Sequence, residues 1–209
     1  MKDFCLIADP LPYFLRVHPH RNICPDYRLF VQFEADMLRV KDDQEAAPRM
    51  ASALDRFLGA GWQTEYTTQQ AFDQLLWFYR GGQAAPDPSK AQGPRPPLAF
   101  DYIIDGPLIA AAFQSAYGID LTDPGTRLHW WRFQALLQGL PDECRFCRVI
   151  GWRTADLTGM KGKQLAFYSD MKRKFALPAD LGGEKQVYAT KAEWDAAFIQ
   201  RLRRQAGKK

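Results

Sequence analysis

Residues 128–140, LHWWRFQALLQGL, constrain the fold more than any other part of the chain. Placed on a helix, Trp130, Phe133, Leu137 and Leu140 form one stripe. Leu128, Trp131 and Ala135 form a second stripe beside it, and only His129, Arg132, Gln134 and Gln138 interrupt. A helix apolar over so much of its circumference must be enclosed, so it belongs at the centre of a bundle. Core packing is therefore the first reading of Trp130 and Trp131. Stacking on single-stranded nucleic acid needs exposed rings among several basic groups, and here only Arg127 and Arg132 are near. A protein-binding surface is the remaining reading, since Trp and Arg are typical anchors of interfaces.

The rest of the chain supplies helices to surround it. Phe30, Phe33, Met37 and Val40 follow the spacing of one helix face, which Leu29 widens, and Asp26 after Pro25 is placed to cap it. A second amphipathic helix is predicted over residues 45–58, stopped by Gly59 and Gly61. A third starts at Thr67 with Gln70 as capping-box partner, carries Phe72, Leu75, Leu76 and Tyr79, and stops at Gly81 and Gly82. Beyond the middle of the chain, Asp105-Gly106-Pro107 reads as an N-cap with Pro in the first turn, opening a helix over 108–117 that Gly118 closes. Residues 119–124 connect to the central helix and cap it. Further helices are predicted from Asp142 to about Ile150, over 161–175, and from the Thr190/Glu193 capping box to about Arg204, with Thr154 capping a turn between. Only the start differs: residues 13–17 and 20–24 flank His18-Pro19 as two short strands, a small hairpin that must lean on the helices.

The fold class is thus mainly α: a helical bundle with a small N-terminal β-hairpin and a Pro-rich internal linker. Residues 83–97, QAAPDPSKAQGPRPP, contain almost nothing to bury and read as that linker or an exposed loop. They divide an N-terminal part, 1–82, from a C-terminal helical part, 98–178. Residues 179–209 form a C-terminal extension with a terminal basic helix. With 209 residues, 46% of them hydrophobic, the chain has material for one good core or two small ones. No stretch approaches the roughly 18 uninterrupted apolar residues of a membrane span, and Pro10 and Pro12 break the only apolar run near the start, so no secretory signal is expected. The net charge of +4 is far from that of a dedicated nucleic-acid binder, and much of the excess lies at Arg201, Arg203, Arg204, Lys208 and Lys209.

Chemical signals are sparse. Cys144 and Cys147 form a C-x-x-C, but no second close pair exists to complete a zinc ribbon, and Cys5, Cys24, His18 and His20 lie far upstream. Reduced cysteines packed as small hydrophobes are the expectation. The sequence holds no G-x-S-x-G elbow, P-loop or G-x-G-x-x-G. Asp101, Asp105, Asp120 and Asp123 cluster in sequence, but three of them sit where caps and turns belong. No catalytic residue, metal ligand or cofactor is expected, and the chain is not read as an enzyme.

The segment 118-GIDLTDPGTRLHWWRFQALLQGLP-141 carries a family resemblance, together with 75-LLWFYRGG-82, 150-IGWRTADL-157 and 167-FYSDMKRKFALP-178. A D-x-L-P start at Asp9 and the helix 26-DYRLFVQFEADML-38 fit the same order. Over roughly residues 9–178 the chain resembles the bacteriophage gene-product-fifteen family, tail-cluster proteins of long-tailed phages (siphoviruses). The resemblance implies a gene just ahead of the tape-measure protein, the slot that generally holds tail assembly chaperones. It implies a non-catalytic chaperone that binds the tape-measure protein during tail morphogenesis and recruits the tail tube protein. A minor structural protein retained in the tail is the alternative, and a nucleic-acid-binding accessory protein the second. The implied location is the cytoplasm of the infected host, or the virion tail. A homo-oligomer is compatible with such a role, a membrane is not involved, and nucleic acid is not an expected partner. Aromatics near helix ends and the linker are the candidate partner contacts: Trp77, Phe78, Tyr79 with Arg80, then Phe100, Tyr102 and Trp152.

Overall fold

The structure is a computed structural model that describes residues 4–16, 20–40, 43–83, 98–179 and 181. Seven α-helices run in order among them: α1 (Tyr27–Leu38), α2 (Asp43–Leu58), α3 (Thr68–Tyr79), α4 (Gly106–Tyr117), α5 (Trp130–Gln138), α6 (Arg145–Thr154) and α7 (Gly162–Lys174). A 3-10 turn at Trp62–Thr64 precedes α3. The chain divides into two compact units. The first takes its described residues from 4–83 and 127–135, the second from 98–126, 136–179 and 181. The break does not fall at the Pro-rich stretch alone, because 127–135 joins the N-terminal unit.

In the first unit, α1 begins where sequence placed it, with the Asp26 carboxylate accepting from the Arg28 N–H. α3 opens with the full Thr67/Gln70 capping box. Their apolar faces meet α2 around Phe30, Phe33, Phe57, Leu75, Leu76 and Phe78, all buried. Residues 25–27 pair with 128–130 through Tyr27 N–H to Leu128 O (3.1 Å) and Trp130 N–H to Pro25 O (2.7 Å), which sets the start of α5 beside the start of α1. The expected hairpin is reduced to a single antiparallel bridge, Phe14 with Asn22, and no strand forms among the described residues. Arg21 adds a tie outside the pairing: its guanidinium bonds Leu58 O (2.8 Å), Ala60 O and Glu65 (2.6 Å), while Cys24 N–H goes to Phe57 O. The segment is thus tied both to itself, through Leu15 N–H to Arg21 O (2.8 Å) and Ile23 N–H to Tyr13 O (3.0 Å), and to the end of α2. The hairpin's turn at 17–19 lies outside the described residues, as do 84–97 of the linker and the terminal basic helix.

In the second unit, α4 closes on Gly118 as expected, with φ at 66°, the left-handed region. Asp105, however, does not cap α4 with its side chain. Its carboxylate receives the Arg153 guanidinium at 2.6 and 2.9 Å and the Asp101 N–H at 2.9 Å. A buried, bidentate arginine competes for those lone pairs and wins over a cap. Arg153 also bonds Ala99 O and Phe175 O, so one side chain holds α6, the start of α4 and both flanking segments together. Two further boundaries move. α6 begins at Arg145, not Asp142, and Thr154 ends it, its hydroxyl turned back to Ile150 O. Asp120 and Asp123 make local turns to Thr122 and Gly125 and do not cap α5.

Candidate functional site

The two tryptophans of residues 128–140 meet the end of α3. The last carbonyls of a helix have no partner within it and need donors from elsewhere. Trp130 Nε1 donates to Tyr79 O (2.8 Å), Trp131 Nε1 to Phe78 O (2.6 Å), and Gln134 Nε2 to Tyr79 O (3.2 Å). Two indoles thus cap α3 where its dipole is negative. The rings stack as they do so: Trp130 lies parallel to Phe30 at 5.0 Å and to Phe133 at 5.6 Å, and Phe133 to Tyr27 at 4.9 Å. Trp131 packs against Phe78, Trp77 and the edge of Phe4.

The glycine pair after α3 is required by this arrangement. Gly81 and Gly82 have φ of 68° and 81°, and a Cβ on Gly82 would sit 2.8 Å from the Trp131 ring. His129 completes it from the other side. Its Nδ1 accepts the Trp131 N–H at 3.1 Å, capping α5, while its Nε2 donates to Pro12 O at 2.9 Å. Both bonds need a neutral ring, and burial holds its pKa below the usual histidine value, partly offset by the Pro12 bond. The central-helix expectation is corrected at three positions: His129 and Gln134 are buried and Ala135 is exposed, because the His129 ring reaches Pro12 O and the Gln134 amide follows Tyr79 O inward.

The candidate partner contacts are largely interior. Phe78 and Tyr79 are fully enclosed, the latter with its hydroxyl on the buried Glu34 carboxylate at 2.6 Å. Tyr102 and Trp152 are buried, while Trp77, Arg80 and Phe100 are half-buried. Trp152 stacks on Phe175 at 5.1 Å beneath the Arg145 and Arg148 guanidiniums. The buried members offer a partner no area in this conformation. The exposed large apolar side chains are elsewhere: Leu6, Ile7, Tyr13 and Phe14 in the first unit, and Ile103, Ile104, Leu165 and Phe167 in the second. The adjacent pair Ile103-Ile104, between two aspartates and ahead of an uncharged helix, is the sequence signal for part of this set.

The C-x-x-C is a helix cap. Cys144 Sγ accepts the Cys147 N–H at 3.4 Å at the start of α6, and Cys147 Sγ points to Leu140 O. Burial pushes the Cys147 thiol up to about 12, with the Cys144 sulfur and Asp142 adding to it. At neutral pH it stays a thiol, which is a poor nucleophile. Among the described residues no group of three or more His, Cys, Asp or Glu side chains could hold a metal ion, and no helix is long and apolar enough to cross a membrane.

One comparison with known proteins decides the family. The model of the family described as "Bacteriophage Gp15 protein" matches residues 24–177, which include all seven helices. The chain belongs to that phage family. The match takes in the indole caps, the Gly81-Gly82 turn and the Arg153–Asp105 pair, while the Phe4, Pro12, Phe14 and Arg21 contacts lie ahead of it. No curated protein and no solved structure matches the chain.

Proposed function

We propose that this Gp15-family protein is a non-catalytic tail assembly chaperone that binds the tape-measure protein during morphogenesis. Membership of a bacteriophage family carries the reading, and the distribution of apolar surface supports it. A tape measure is long, helical and apolar before the tube encloses it, and such faces aggregate unless covered. The exposed large apolar side chains among the described residues sit at turns, beside the Phe14–Asn22 bridge and on α7. That is where an amphipathic helix of a partner has something to bury against. His129 and Cys144, by contrast, are spent on helix caps, while Cys5 and Cys24 are exposed and not packed as the sequence led one to expect.

Co-expression with the cognate tape-measure protein tests this. The soluble fraction of the tape measure rises and the two co-purify, and the tube protein joins the complex when added. An unchanged soluble fraction with no complex rejects the reading. Mass spectrometry of purified virions then separates a chaperone, absent from finished particles, from a minor structural protein of the tail, which remains.

A further inference from the structure

α6 and α7 form a strongly basic part of the chain. Residues 144–175 hold eight Lys and Arg against two Asp, in a protein whose whole net charge is +4. Both aspartates are engaged: Asp156 accepts the Thr158 N–H, and Asp170 pairs with Arg173. Arg153 is buried on Asp105, and Lys172 donates to Ala155 O. Three other cations gather over one aromatic pair, Trp152 stacked on Phe175 at 5.1 Å. The Arg145 guanidinium lies 5.4 Å from the Trp152 ring centre and 5.2 Å from that of Phe175. Arg148 lies 5.3 Å from Trp152, and Lys174 Nζ 5.7 Å from Phe175. All three residues are exposed, and none forms an ion pair among the described residues. Stacking fixes where the two guanidiniums lie but leaves their charge unmatched. Lys174 suits the negative end of α7, whereas Arg145 and Arg148 stand at the start of α6, whose first turn carries no acid. That is the helix end where negative charge stabilises and positive charge does not.

We propose that this cluster is a binding site for an acidic segment of a partner protein, which sets carboxylates on Arg145 and Arg148 and an apolar side chain on Phe167. Charge complementarity fixes the anion. A guanidinium held over a ring keeps its N–H edge for an oxyanion, two oxygens at a time, and arginine clusters recognise acidic motifs in this way. Two features select a peptide over a nucleic acid. Single-stranded nucleic acid needs open ring faces for its bases, and here Trp152 and Phe175 cover each other and lie beneath the cations. Beside them Phe167, edge-on to Trp152 at 6.5 Å, is 49% exposed. An apolar neighbour has nothing to offer a phosphate backbone, whereas an amphipathic acidic peptide buries a side chain against it. The site goes beyond the chaperone reading and does not rest on it.

The probe is a short fluorescent peptide of glutamates and leucines at helical spacing, titrated with the full chain and followed by anisotropy. The wild type binds it, and binding weakens as NaCl rises from about 50 to about 300 mM, where screening shortens the reach of charge. The same peptide with Gln for Glu does not bind, and single-stranded oligothymidine of equal charge binds less tightly than the glutamate peptide. Arg145→Gln with Arg148→Gln weakens the peptide by about tenfold or more, and Phe167→Ser weakens it by a smaller factor. Arg132→Gln, at an exposed position of the other unit, leaves it unchanged. Arg145→Glu with Arg148→Glu loses the glutamate peptide and gains its lysine counterpart, a gain that a misfolded variant does not show. A wild type that ignores the glutamate peptide, or takes the Gln version equally well, overturns the proposal. So does undiminished affinity in the double Gln variant, no gain in the charge-reversed one, or tighter binding of oligothymidine, which makes this a nucleic-acid surface instead.

Discussion

At the scale of single residues, the structure separates two costs that a glycine can hide. Gly61 and Gly82 have nearly the same φ, 82° and 81°, but a Cβ meets nothing at Gly61 and the Trp131 ring at Gly82. Gly61→Ala therefore loses about 1–2 kcal/mol, the cost of a left-handed non-glycine residue. Gly82→Ala loses clearly more, because Trp131 must also leave Phe78 O, and urea denaturation of the two variants reads the difference. His129 makes a second residue-scale prediction. Its folded pKa lies below the unfolded value, so the unfolded chain takes up a proton that the native state refuses. The stability it contributes is complete above about pH 6.5 and is lost as pH falls towards the folded value, with a slope of at most about 1.4 kcal/mol per pH unit. His129→Asn keeps an acceptor for the Trp131 N–H but does not titrate. Denaturation midpoints measured between about pH 5 and about pH 7.5 should lose that part of their slope in the variant.

At the scale of elements, helix ends explain most of what differs from expectation. α3 was legible at its start, since the Thr67/Gln70 box is local and needs nothing beyond four residues. Its end was not, because its carbonyl partners are indoles some fifty positions along the chain. α6 shows the same thing in small. A C-x-x-C invites a metal or redox reading, but a thiol at the N-cap serves as a serine would. Cys144→Ser should therefore retain stability and Cys144→Ala lose about 1 kcal/mol, measured by thermal unfolding, with zinc leaving the Tm of either variant unmoved. A zinc-dependent Tm in the wild type would reject the capping account. α7 is the opposite case: its periodicity marked it as a helix, yet none of its residues is buried. It rests on α6 through Lys172 Nζ to Ala155 O and the edge of Phe167 on Trp152, contacts that a pattern of types does not reveal.

At the scale of the whole molecule, each unit is organised by a long-range polar tie as well as by apolar burial. In the second unit that tie is Arg153 with Asp105, 7% and 2% exposed. Removing one partner of a buried ion pair strands the other, so Arg153→Met should cost about 3–5 kcal/mol, whereas Arg153→Met with Asp105→Leu recovers much of it. Equal losses in the single and double variants, read from urea midpoints, would show that the pair is not the tie. Among the described residues the sequence by itself determined where helices form, though not all their bounds, since the 3.6-residue period and local caps are properties of neighbouring residues. It also determined that 128–140 must be enclosed, since Trp130, Trp131 and Phe133 cannot face water along one helix. Tertiary structure alone decided what those side chains do once inside: the indoles on α3, the neutral His129 cap, Gln134 in and Ala135 out, and Arg153 drawing Asp105 away from a cap. Each depends on a donor meeting an acceptor from a distant part of the chain. Spacing along the chain cannot specify that meeting; only the packed geometry does.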